Sequence, residues 1–509
     1  MKRNMKGIVM KRIISLLFAL LMAVSCAVMA GCAEKDPAPK PGDSAVVTSA
    51  ETEAATETVT EAVPDLPEIT FPNSDPFVVL LQGAMADDFY TEDHDTGDTL
   101  HDAIRLRNSN VADKYQIEFD IQYDEWNVVN DRIKTSVNSG THEYDLCFVH
   151  MVSGAALAQS NIVLPFEKLE YVDLSKPWWD KAIKNGFSIE NNMMMVNGDI
   201  SPTSFSITSC LYFNKKLFDD YDMEYPYKLV IDKKWTLDRL YEMTKDMTIP
   251  DGDGKIDALN GKNQFGLASW FLDIPYSFYY GAGGMIITKD PDSDMPLYTL
   301  PQNVERDTAI YNKIYDVIIK NQAYFETDPT AANFPNVAKV FAEGRALFYD
   351  AKLSSSEDLR DMDNEFGILP IPKFNEAQDD YYSFVNGASS MVCVPTTCST
   401  PEMRERTSII IEALAYESYK IVTPALIETY LKRKVTRDAD SQEMIDYIIR
   451  NRVFDMAYIN MYDGVGSYVK NLLEKKSTNV SSEINKYKTK VPKQIDKIIK
   501  AFEKSLKED

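Results

Sequence analysis

Short apolar runs bounded by small or polar residues recur along the chain and predict buried β-strands. Three of them are Pro76–Gly83, Tyr144–Val149 and Ile207–Phe213. Continuous apolar runs of about four to eight residues are typical of strands that are covered on both faces of a parallel sheet. Between the first two runs, Gln116–Gln122 alternates polar and apolar residues, as a half-buried strand does. The pattern therefore predicts a largely buried, mostly parallel sheet.

Helical periodicity separates these strands and dominates the end of the chain. In Asn127–Gly140 the apolar residues fall on one side, and the final glycine is a helix stop signal. After Pro401 the pattern is helical to the end, where one apolar stripe comprises Val491, Ile495, Ile498, Ile499 and Phe502. The fold class predicted by this alternation is α/β. A length of 509 residues exceeds one typical domain, so two lobes or domains are expected.

The first 31 residues have the pattern of an export signal. Five basic residues precede the apolar run Ile13–Val24, and the small residues Ala30-Gly31 follow. Serines interrupt the run, which favours a cleaved signal over a permanent membrane span. Met29–Cys32 resembles a bacterial lipobox, whose cleavage would leave Cys32 as the lipid-bearing first residue. Simple secretion, with Cys32 incidental, is the alternative.

Residues 32–72 have the composition of a tether. Ala33–Glu68 is rich in Glu, Thr, Ala, Pro and Asp and has almost no large apolar residues. Such a segment cannot bury enough surface to offset the entropy of ordering, so we expect it to stay extended and disordered. Its nine acidic residues against two lysines would keep it away from an anionic membrane surface.

The net charge excludes some classes of partner. It is −24 for the whole chain, and removal of residues 1–31 takes away five positive charges and no negative ones, giving about −29. Binding to nucleic acid requires a basic surface, so nucleic acid is not an expected partner.

The cysteines do not have the spacing of a disulfide framework. Cys147 and Cys210 lie in apolar runs, which is typical of small buried side chains. Cys393 and Cys398 are close enough in sequence to form a local pair, although free thiols are the favoured interpretation.

Several short motifs follow one another in a fixed order. They are Leu211–Lys215 (LYFNK), Trp235–Asp238 (WTLD), Phe341–Leu347 (FAEGRAL) and Glu365–Lys373 (EFGILPIPK). Between Phe77 and about Ile459 the chain resembles the bacterial extracellular solute-binding proteins of family 1, the maltose-binding-protein-like sugar-binding lipoproteins of ABC importers.

The resemblance implies a two-lobe fold of the periplasmic-binding-protein type II, with three crossings between the lobes and a ligand cleft between them. Lobe one is expected to comprise residues 77–204 plus 346–386. Lobe two is expected to comprise residues 205–345 plus 387–509, with C-terminal helices packed across the outside.

Motifs of common enzyme classes do not occur in the sequence. It contains no nucleophile elbow, P-loop, zincin motif or dinucleotide fingerprint. The four histidines are dispersed, without the spacing of metal ligands. We therefore expect no enzymatic activity, no catalytic residue and no metal.

One acidic turn resembles a Ca²⁺ loop. Asp251, Asp253 and Asp257 fall at alternating positions around Gly254, but Ile249 and Asn260 occupy two positions where carboxylates belong. A tight polar turn is the favoured interpretation, and no cofactor is expected.

Candidate ligand-binding residues are aromatic or polar side chains near predicted strand ends. A sugar ring is held by stacking on an aromatic side chain and by hydrogen bonds to its hydroxyl groups. For each aromatic candidate, core packing is the alternative, and a solvated turn is the alternative for the first two acids. Of the neighbours Trp178 and Trp179, at most one is expected to contact ligand. The candidates are Asp87, Asp88, His150, Trp178, Trp270, Phe271, Tyr276 and Asp350.

The resemblance implies a monomeric solute-binding protein, lipid-anchored through Cys32 on the extracytoplasmic face of the cell membrane. It would deliver a carbohydrate to the transmembrane subunits of an ABC permease, and the expected carbohydrate is an oligosaccharide. Two alternatives remain at this point. An exported glycan-active hydrolase would share the signal and the aromatics but needs two carboxylates at catalytic spacing. A lipoprotein that binds a peptide or a cell-surface partner would show a wide cleft or an exposed apolar patch.

Overall fold

The computed structural model describes residues 62–89, 97–252, 254, 263–326, 337–435 and 438–507. The signal sequence predicted at residues 1–31, the predicted lipid site Cys32 and the tether up to residue 61 lie outside these ranges, so they stay predictions. Asp253 and Asp257 of the acidic turn also lie outside them. Within the described ranges, no helix is both long and apolar enough to cross a membrane.

The last part of the predicted tether packs against the body of the protein. Leu66 and Phe71 are partly buried against the main hydrophobic core. The Phe71 N–H donates to the Tyr115 carbonyl oxygen at 2.8 Å, and Lys176 Nζ donates to the Val63 carbonyl oxygen at 3.0 Å. The prediction of a free chain is therefore wrong from residue 62 onward, because apolar side chains there find a surface to bury against.

The strands follow the apolar runs closely. Phe77–Gln82 falls within the first predicted strand, and Ser209–Asn214 overlaps the predicted Ile207–Phe213. In chain order the strands are β1 (Phe77–Gln82), β2 (Phe119–Asp124), β3 (Leu146–His150), β4 (Ser209–Asn214), β5 (Phe265–Trp270), β6 (Ile287–Lys289), β7 (Pro296–Tyr298), β8 (Tyr324–Glu326), β9 (Ala346–Lys352), β10 (Phe366–Leu369), β11 (Ser383–Phe384), β12 (Ser390–Cys393) and β13 (Arg452–Val453).

Helices cover the sheets. The predicted helix Asn127–Gly140 is observed as Trp126–Ser139, and Gly140 caps it in the left-handed conformation, with φ 71°. In chain order the helices are α1 (Thr99–Tyr115), α2 (Trp126–Ser139), α3 (Met151–Gln159), α4 (Lys181–Phe187), α5 (Thr203–Ser206), α6 (Lys215–Asp220), α7 (Tyr227–Ile231), α8 (Leu237–Thr244), α9 (Ile274–Gly281), α10 (Val304–Tyr315), α11 (Val337–Ala342), α12 (Pro401–Glu417), α13 (Ala439–Arg450), α14 (Met456–Asn460), α15 (Tyr468–Glu474), α16 (Val480–Asn485) and α17 (Lys490–Lys507).

The first sheet has the strand order β12-β3-β1-β2. Its central strand β1 runs parallel to β2 and β3, whereas β12 runs antiparallel to β3. Helices α2 and α3 pack against this sheet. Because β1 is apolar from Phe77 to Leu81 and lies between two neighbours, all of its side chains except the partly buried Val78 are buried, as its sequence predicts.

The second sheet has the strand order β10-β4-β9-β5-β8. Strand β9 runs parallel to β5 and antiparallel to β4, and β10 pairs antiparallel with β4. The placement of residues 346–386 in lobe one is therefore wrong for β9 and β10. The placement of residues 387–509 in lobe two is likewise wrong for β12, because β12 pairs with β3 in the first sheet.

The chain passes between the sheets in three segments, as the resemblance implies. The first lies between β3 and β4 and the second between β10 and β12, and these two segments meet where Thr208 pairs with Val385. The third follows α12, which packs on α1, and runs through the π-helical turns Ser418–Val422 and Ala425–Val435 to α13, which packs on β10.

The C-terminal helices contact both halves of the protein. Helices α14 and α17 contact α3, whereas α15 contacts α9. The assignment of the whole tail to lobe two is therefore wrong in part, since its helices lie against elements next to both sheets.

Four cysteines in the described residues, Cys147, Cys210, Cys393 and Cys398, are buried free thiols. Cys147 and Cys393 are register partners on β3 and β12. The expectation of free thiols at Cys393 and Cys398 is confirmed in this structure.

Candidate functional site

A polar and aromatic cluster lies where β5 and β9 end, next to the second crossing. The two strands are parallel, so their last residues, Trp270 and Lys352, come to the same edge of the sheet. Lys352 Nζ lies 3.2 Å from Asp273 Oδ2, and Asn386 Nδ2 donates to Asp273 Oδ1 at 2.6 Å. We call Trp270, Asp273, Lys352 and Asn386 the Trp270 cluster.

Trp270 is half-buried at the centre of this cluster. Lys352 Nζ lies 5.4 Å from the centroid of its ring, within the range of a cation–π interaction. Its indole Nε1 is buried and has no hydrogen-bond partner among the described residues. Phe271, the next residue, is partly buried and packs against the core, and Leu272 is exposed. Trp270 and Phe271 were predicted from the sequence as ligand-binding residues, whereas the three polar members of the cluster were not.

Asp273 and Asp350 are both buried carboxyl groups near this edge of the sheet. Burial raises the pKa of Asp273, whereas the Lys352 ammonium and the Asn386 amide oppose that shift. Burial also raises the pKa of Asp350 to about 7, against hydrogen bonds from Ser277 Oγ at 2.6 Å and Ser269 Oγ at 2.8 Å. Asp350 is only 1% exposed, so its assignment as a ligand contact is wrong in this conformation.

A second aromatic position lies at the carboxyl ends of the first sheet. His150 ends β3, and its Nδ1 accepts a hydrogen bond from the Ser153 N–H at 3.3 Å, which caps α3. Burial lowers the pKa of His150 to about 4, so the ring is neutral at pH 7. The Trp126 ring lies 6.0 Å from the His150 ring and is 56% exposed. Trp126 was not predicted from the sequence, although an aromatic residue two positions after the end of β2 was a usable signal.

The two acids that follow β1 have different environments. Asp87 is exposed, and its Oδ1 lies 3.2 Å from His101 Nε2. Asp88 is fully buried and accepts a hydrogen bond from the Thr203 N–H at 2.9 Å. Burial raises the pKa of Asp88 to about 6, and the Arg107 guanidinium opposes that shift. Asp88 therefore ties the β1 loop to the first crossing, and its assignment as a ligand contact is wrong.

Trp178 and Tyr276 are core residues. The indole N–H groups of Trp178 and Trp179 donate to the two carboxyl oxygens of Glu412 at 3.0 Å each. Tyr276 packs on Phe384, and its hydroxyl group shares a hydrogen bond with Ser467 Oγ. The assignments of Trp178 and Tyr276 as ligand contacts are wrong, because Trp178 has no exposed surface and Tyr276 is 8% exposed.

Sequence comparison identifies the family. The profile of the bacterial extracellular solute-binding proteins matches residues 108–402, which is more than half of the chain. The chain belongs to this family, whose members bind solutes for ABC importers, and the predicted resemblance is thereby confirmed. A comparison with curated protein sequences found no match.

Several solved structures have a similar fold, and the similarity extends over nearly the whole length of each of those chains. A cyclo/maltodextrin-binding protein complexed with maltotetraose is 13% identical, with a TM-score of 0.52 over 85% of this chain and 98% of that chain. UgpB from Mycobacterium tuberculosis, in complex with glycerophosphocholine, is 13% identical, with a TM-score of 0.51 over 84% and 99%. The substrate-binding protein Lmo0181 from Listeria monocytogenes, in complex with cycloalternan, is 14% identical, with a TM-score of 0.50 over 81% and 98%. These likenesses confirm the two-lobe α/β fold class.

Proposed function

We propose that this protein captures a carbohydrate between its two lobes and delivers it to the transmembrane subunits of an ABC importer. The proposed carbohydrate is an oligosaccharide. The Trp270 cluster carries the proposal, because it combines an aromatic face with an ammonium, a carboxylate and an amide. A sugar ring presents a C–H face and a rim of hydroxyl groups, which this combination matches. No covalent step is part of the proposal.

The spacing of residues along the second crossing supports a cleft with two sides. Asn386 donates to Asp273, and four residues later Ser390 is the register partner of His150. Four residues span at most about 14 Å, so the Cα atom of Asn386 in the Trp270 cluster lies within about 14 Å of the Cα atom of Ser390, the register partner of His150, and one oligosaccharide is proposed to contact both sides.

Lobe closure follows from this arrangement. A ligand that contacts both sides binds the closed form more tightly than the open form and shifts the population toward it. The proposed rigid bodies are the two sheets with their helices. Because one chain supplies both sides, a monomer is sufficient.

The binding experiment is a thermal-shift screen followed by calorimetry on the chain from Cys32 onward with Cys32→Ser. Oligosaccharides of two to about seven units, monosaccharides and a peptide mixture form separate arms, each with and without EGTA. A ligand at 100 times its dissociation constant stabilises by about 2.7 kcal/mol. We expect a shift with an oligosaccharide that stays intact and is insensitive to EGTA. Cleavage of the glycan would indicate a hydrolase, and a response only to peptides would replace the carbohydrate proposal.

The proposed membrane anchor is a separate question with a separate test. We propose that Cys32 carries the lipid and holds the protein on the extracytoplasmic face of the cell membrane. In cells fed with labelled palmitate, the wild-type protein is expected in the membrane fraction with label, and Cys32→Ser in the medium without label. Unlabelled wild-type protein in the medium would indicate simple secretion.

A further inference from the structure

Arg452 lies in a buried polar network next to the chain crossings. It begins β13, pairs with β11 in the second crossing segment and is 7% exposed. Its Nη2 donates to Asp180 Oδ2 at 2.7 Å, and its Nη1 donates to Ser204 Oγ at 3.4 Å. Its guanidinium carbon lies 3.9 Å from the centroid of the Phe205 ring. One side chain therefore joins two parts of the first crossing segment, the N-cap of α4 and Ser204 in α5.

The network continues from the first crossing to the second. Ser204 Oγ donates to Asn197 Oδ1 at 3.1 Å. Asn197 Nδ2 donates to Ser389 Oγ at 3.1 Å and to the Ser390 carbonyl oxygen at 2.6 Å. Ser204, Asn197 and Ser389 are all fully buried. The position of β12 in the first sheet is thus linked by hydrogen bonds to the Arg452 guanidinium.

The third crossing reaches the same place through Asp199. Thr423, which lies between the two π-helical turns, donates its hydroxyl hydrogen to Asp199 Oδ1 at 2.6 Å. Burial raises the pKa of Asp199 to about 7, and the Thr423 hydrogen bond and the Arg452 guanidinium oppose that shift. Asp180, Asp199, Thr423 and Arg452 line one cavity of about 440 Å³. The third crossing segment therefore lines the same cavity as Arg452, whose guanidinium bonds to the first crossing segment and whose strand pairs with the second.

We infer that Arg452 is a positioning residue that holds the three crossing segments in one relative arrangement and so sets the equilibrium between the open and closed lobes. The inference rests on the lobe closure of the proposed function. Its hydrogen bonds go to Asp180 and Ser204 and not to the Trp270 cluster, so it acts on binding through the hinge.

The physical basis is the directionality of the contacts. A guanidinium donates from a rigid planar fork, so its partners are fixed in direction as well as in distance. A buried ion pair adds little net stability compared with a well-packed apolar pair, but removal of one partner leaves a buried charge uncompensated. Loss of Arg452 would leave the largely buried Asp180 carboxylate without its partner cation and would remove a hydrogen-bond donor to Ser204 Oγ.

The test measures the distance between the lobes by single-molecule energy transfer. Dyes are placed at Thr135→Cys on α2 and Arg239→Cys on α8, two exposed positions next to different sheets. The background is the chain from Cys32 onward with Cys32→Ser, in which the cysteines of the described part are buried. The variants are Arg452→Met and Arg452→Lys.

Arg450 supplies a matched control two residues away. It forms an ion pair with Asp380 at 3.1 Å, but its side chain is 54% exposed. Arg450→Met therefore removes the same charge from the same part of the chain and breaks one exposed ion pair to the second crossing segment, but it leaves the hydrogen bonds of Arg452 to Asp180 and Ser204 in place. An exposed ion pair is worth about 0–1 kcal/mol, so this variant should leave the distance distribution and the affinity almost unchanged.

We expect Arg452→Met to change or broaden the distance distribution of the ligand-free protein and to change the ligand dissociation constant by about fivefold or more. Arg452→Lys should fall between it and the wild type. A ligand-free distribution identical to that of the wild type overturns the inference, whatever the ligand proves to be. If Arg452→Met does not fold, Arg452→Lys and Asp180→Asn decide by the same criterion. If no solute changes the distance between the lobes of the wild type, the proposed function is wrong. The inference about Arg452 is still decided by comparing the ligand-free distance distributions of wild type and variants.

Discussion

The Lys352 ammonium lies over the Trp270 ring, with 5.4 Å between Nζ and the ring centroid. The same ammonium is 3.2 Å from Asp273 Oδ2, so cation, ring and carboxylate are held together at one edge of the second sheet. The ring is thereby fixed in orientation before any ligand arrives. Such preorganisation reduces the entropy cost of stacking a sugar on it.

Replacement of Trp270 by alanine should weaken carbohydrate binding. Loss of the stacking surface is expected to raise the dissociation constant by about tenfold or more, which corresponds to about 1.4 kcal/mol. Calorimetry on Trp270→Ala measures this, with Leu272→Ala as a control, since Leu272 is an exposed apolar neighbour. Equal affinities for Trp270→Ala and Leu272→Ala would remove Trp270 from the proposed site.

Trp126 should contribute to binding but not to stability. Its side chain is 56% exposed, so Trp126→Ala is expected to leave the free energy of unfolding within about 0.5 kcal/mol of the wild type. The affinity for a ligand long enough to reach His150 should fall severalfold, whereas that for a shorter sugar should not. A series of oligosaccharide lengths tested by calorimetry separates these cases. A loss that is the same at every length would argue against a separate position for Trp126.

Glu412 should be important for stability because it accepts hydrogen bonds from two buried indoles. Glu412→Ala leaves the Trp178 and Trp179 N–H groups without an acceptor, at about 1–3 kcal/mol each. Glu412→Gln keeps one carbonyl oxygen and should lose less. Urea unfolding measures both, with the half-exposed Glu405→Ala on the same helix as the control. If Glu412→Ala is as stable as the control, the hydrogen bonds from the two indoles to Glu412 do not stabilise the folded protein.

Asp350 should make stability fall as the pH rises from about 4 to about 7. The pKa of Asp350 is about 7 in the folded protein, above its ordinary value of 3.8, so between these values the folded state holds a proton that the unfolded state has released. The difference in unfolding free energy between wild type and Asp350→Asn should therefore decrease with pH, by at most about 1.4 kcal/mol per pH unit. His150, whose lowered pKa acts in the opposite direction, is present in both proteins and cancels. Parallel stability curves would show that Asp350 does not titrate in this range.

Gly198 should not tolerate a side chain. A Cβ atom there would lie 2.2 Å from the Trp178 carbonyl oxygen and 3.0 Å from Trp179 Cα, both backbone atoms. Gly198→Ala should destabilise by about 1–3 kcal/mol, because the pairing of Gly198 with Trp179 has to separate. Gly252→Ala is the matched control, since nothing lies within 4 Å of its Cβ. Thermal unfolding of the two variants is the measurement, and equal midpoints would refute the expected clash.

Strands β1, β3 and β4 could be predicted from the sequence because each is a local apolar run. The predicted Pro76–Gly83 contains β1, and the predicted Tyr144–Val149 overlaps β3. The motifs that suggested the family are local as well. The partners of β9 could not be predicted in this way, because pairing with β4 and β5 depends on residues far away in sequence. The lobe assignment of residues 346–386 failed for that reason.

Only part of the candidate site could be predicted from residue type. An aromatic side chain at a strand end is consistent with either a core or a binding site, and the sequence does not show what covers it. Trp270 and Trp178 look alike in sequence, but Trp178 has Glu412 as a buried acceptor from a helix more than two hundred residues later. Lys352 and Asn386 were missed because their role depends on both converging on Asp273.

The late position of β12 has a consequence for synthesis and secretion. Strand β3 ends at His150 and its edge partner β12 begins at Ser390, about 240 residues later. At about 5–20 residues per second, a ribosome needs roughly 10–50 s to make that interval. The N-terminal lobe cannot complete its sheet during this time, so the nascent chain stays incompletely folded. A secretory channel that accepts only unfolded polypeptide would thus be given time to engage it.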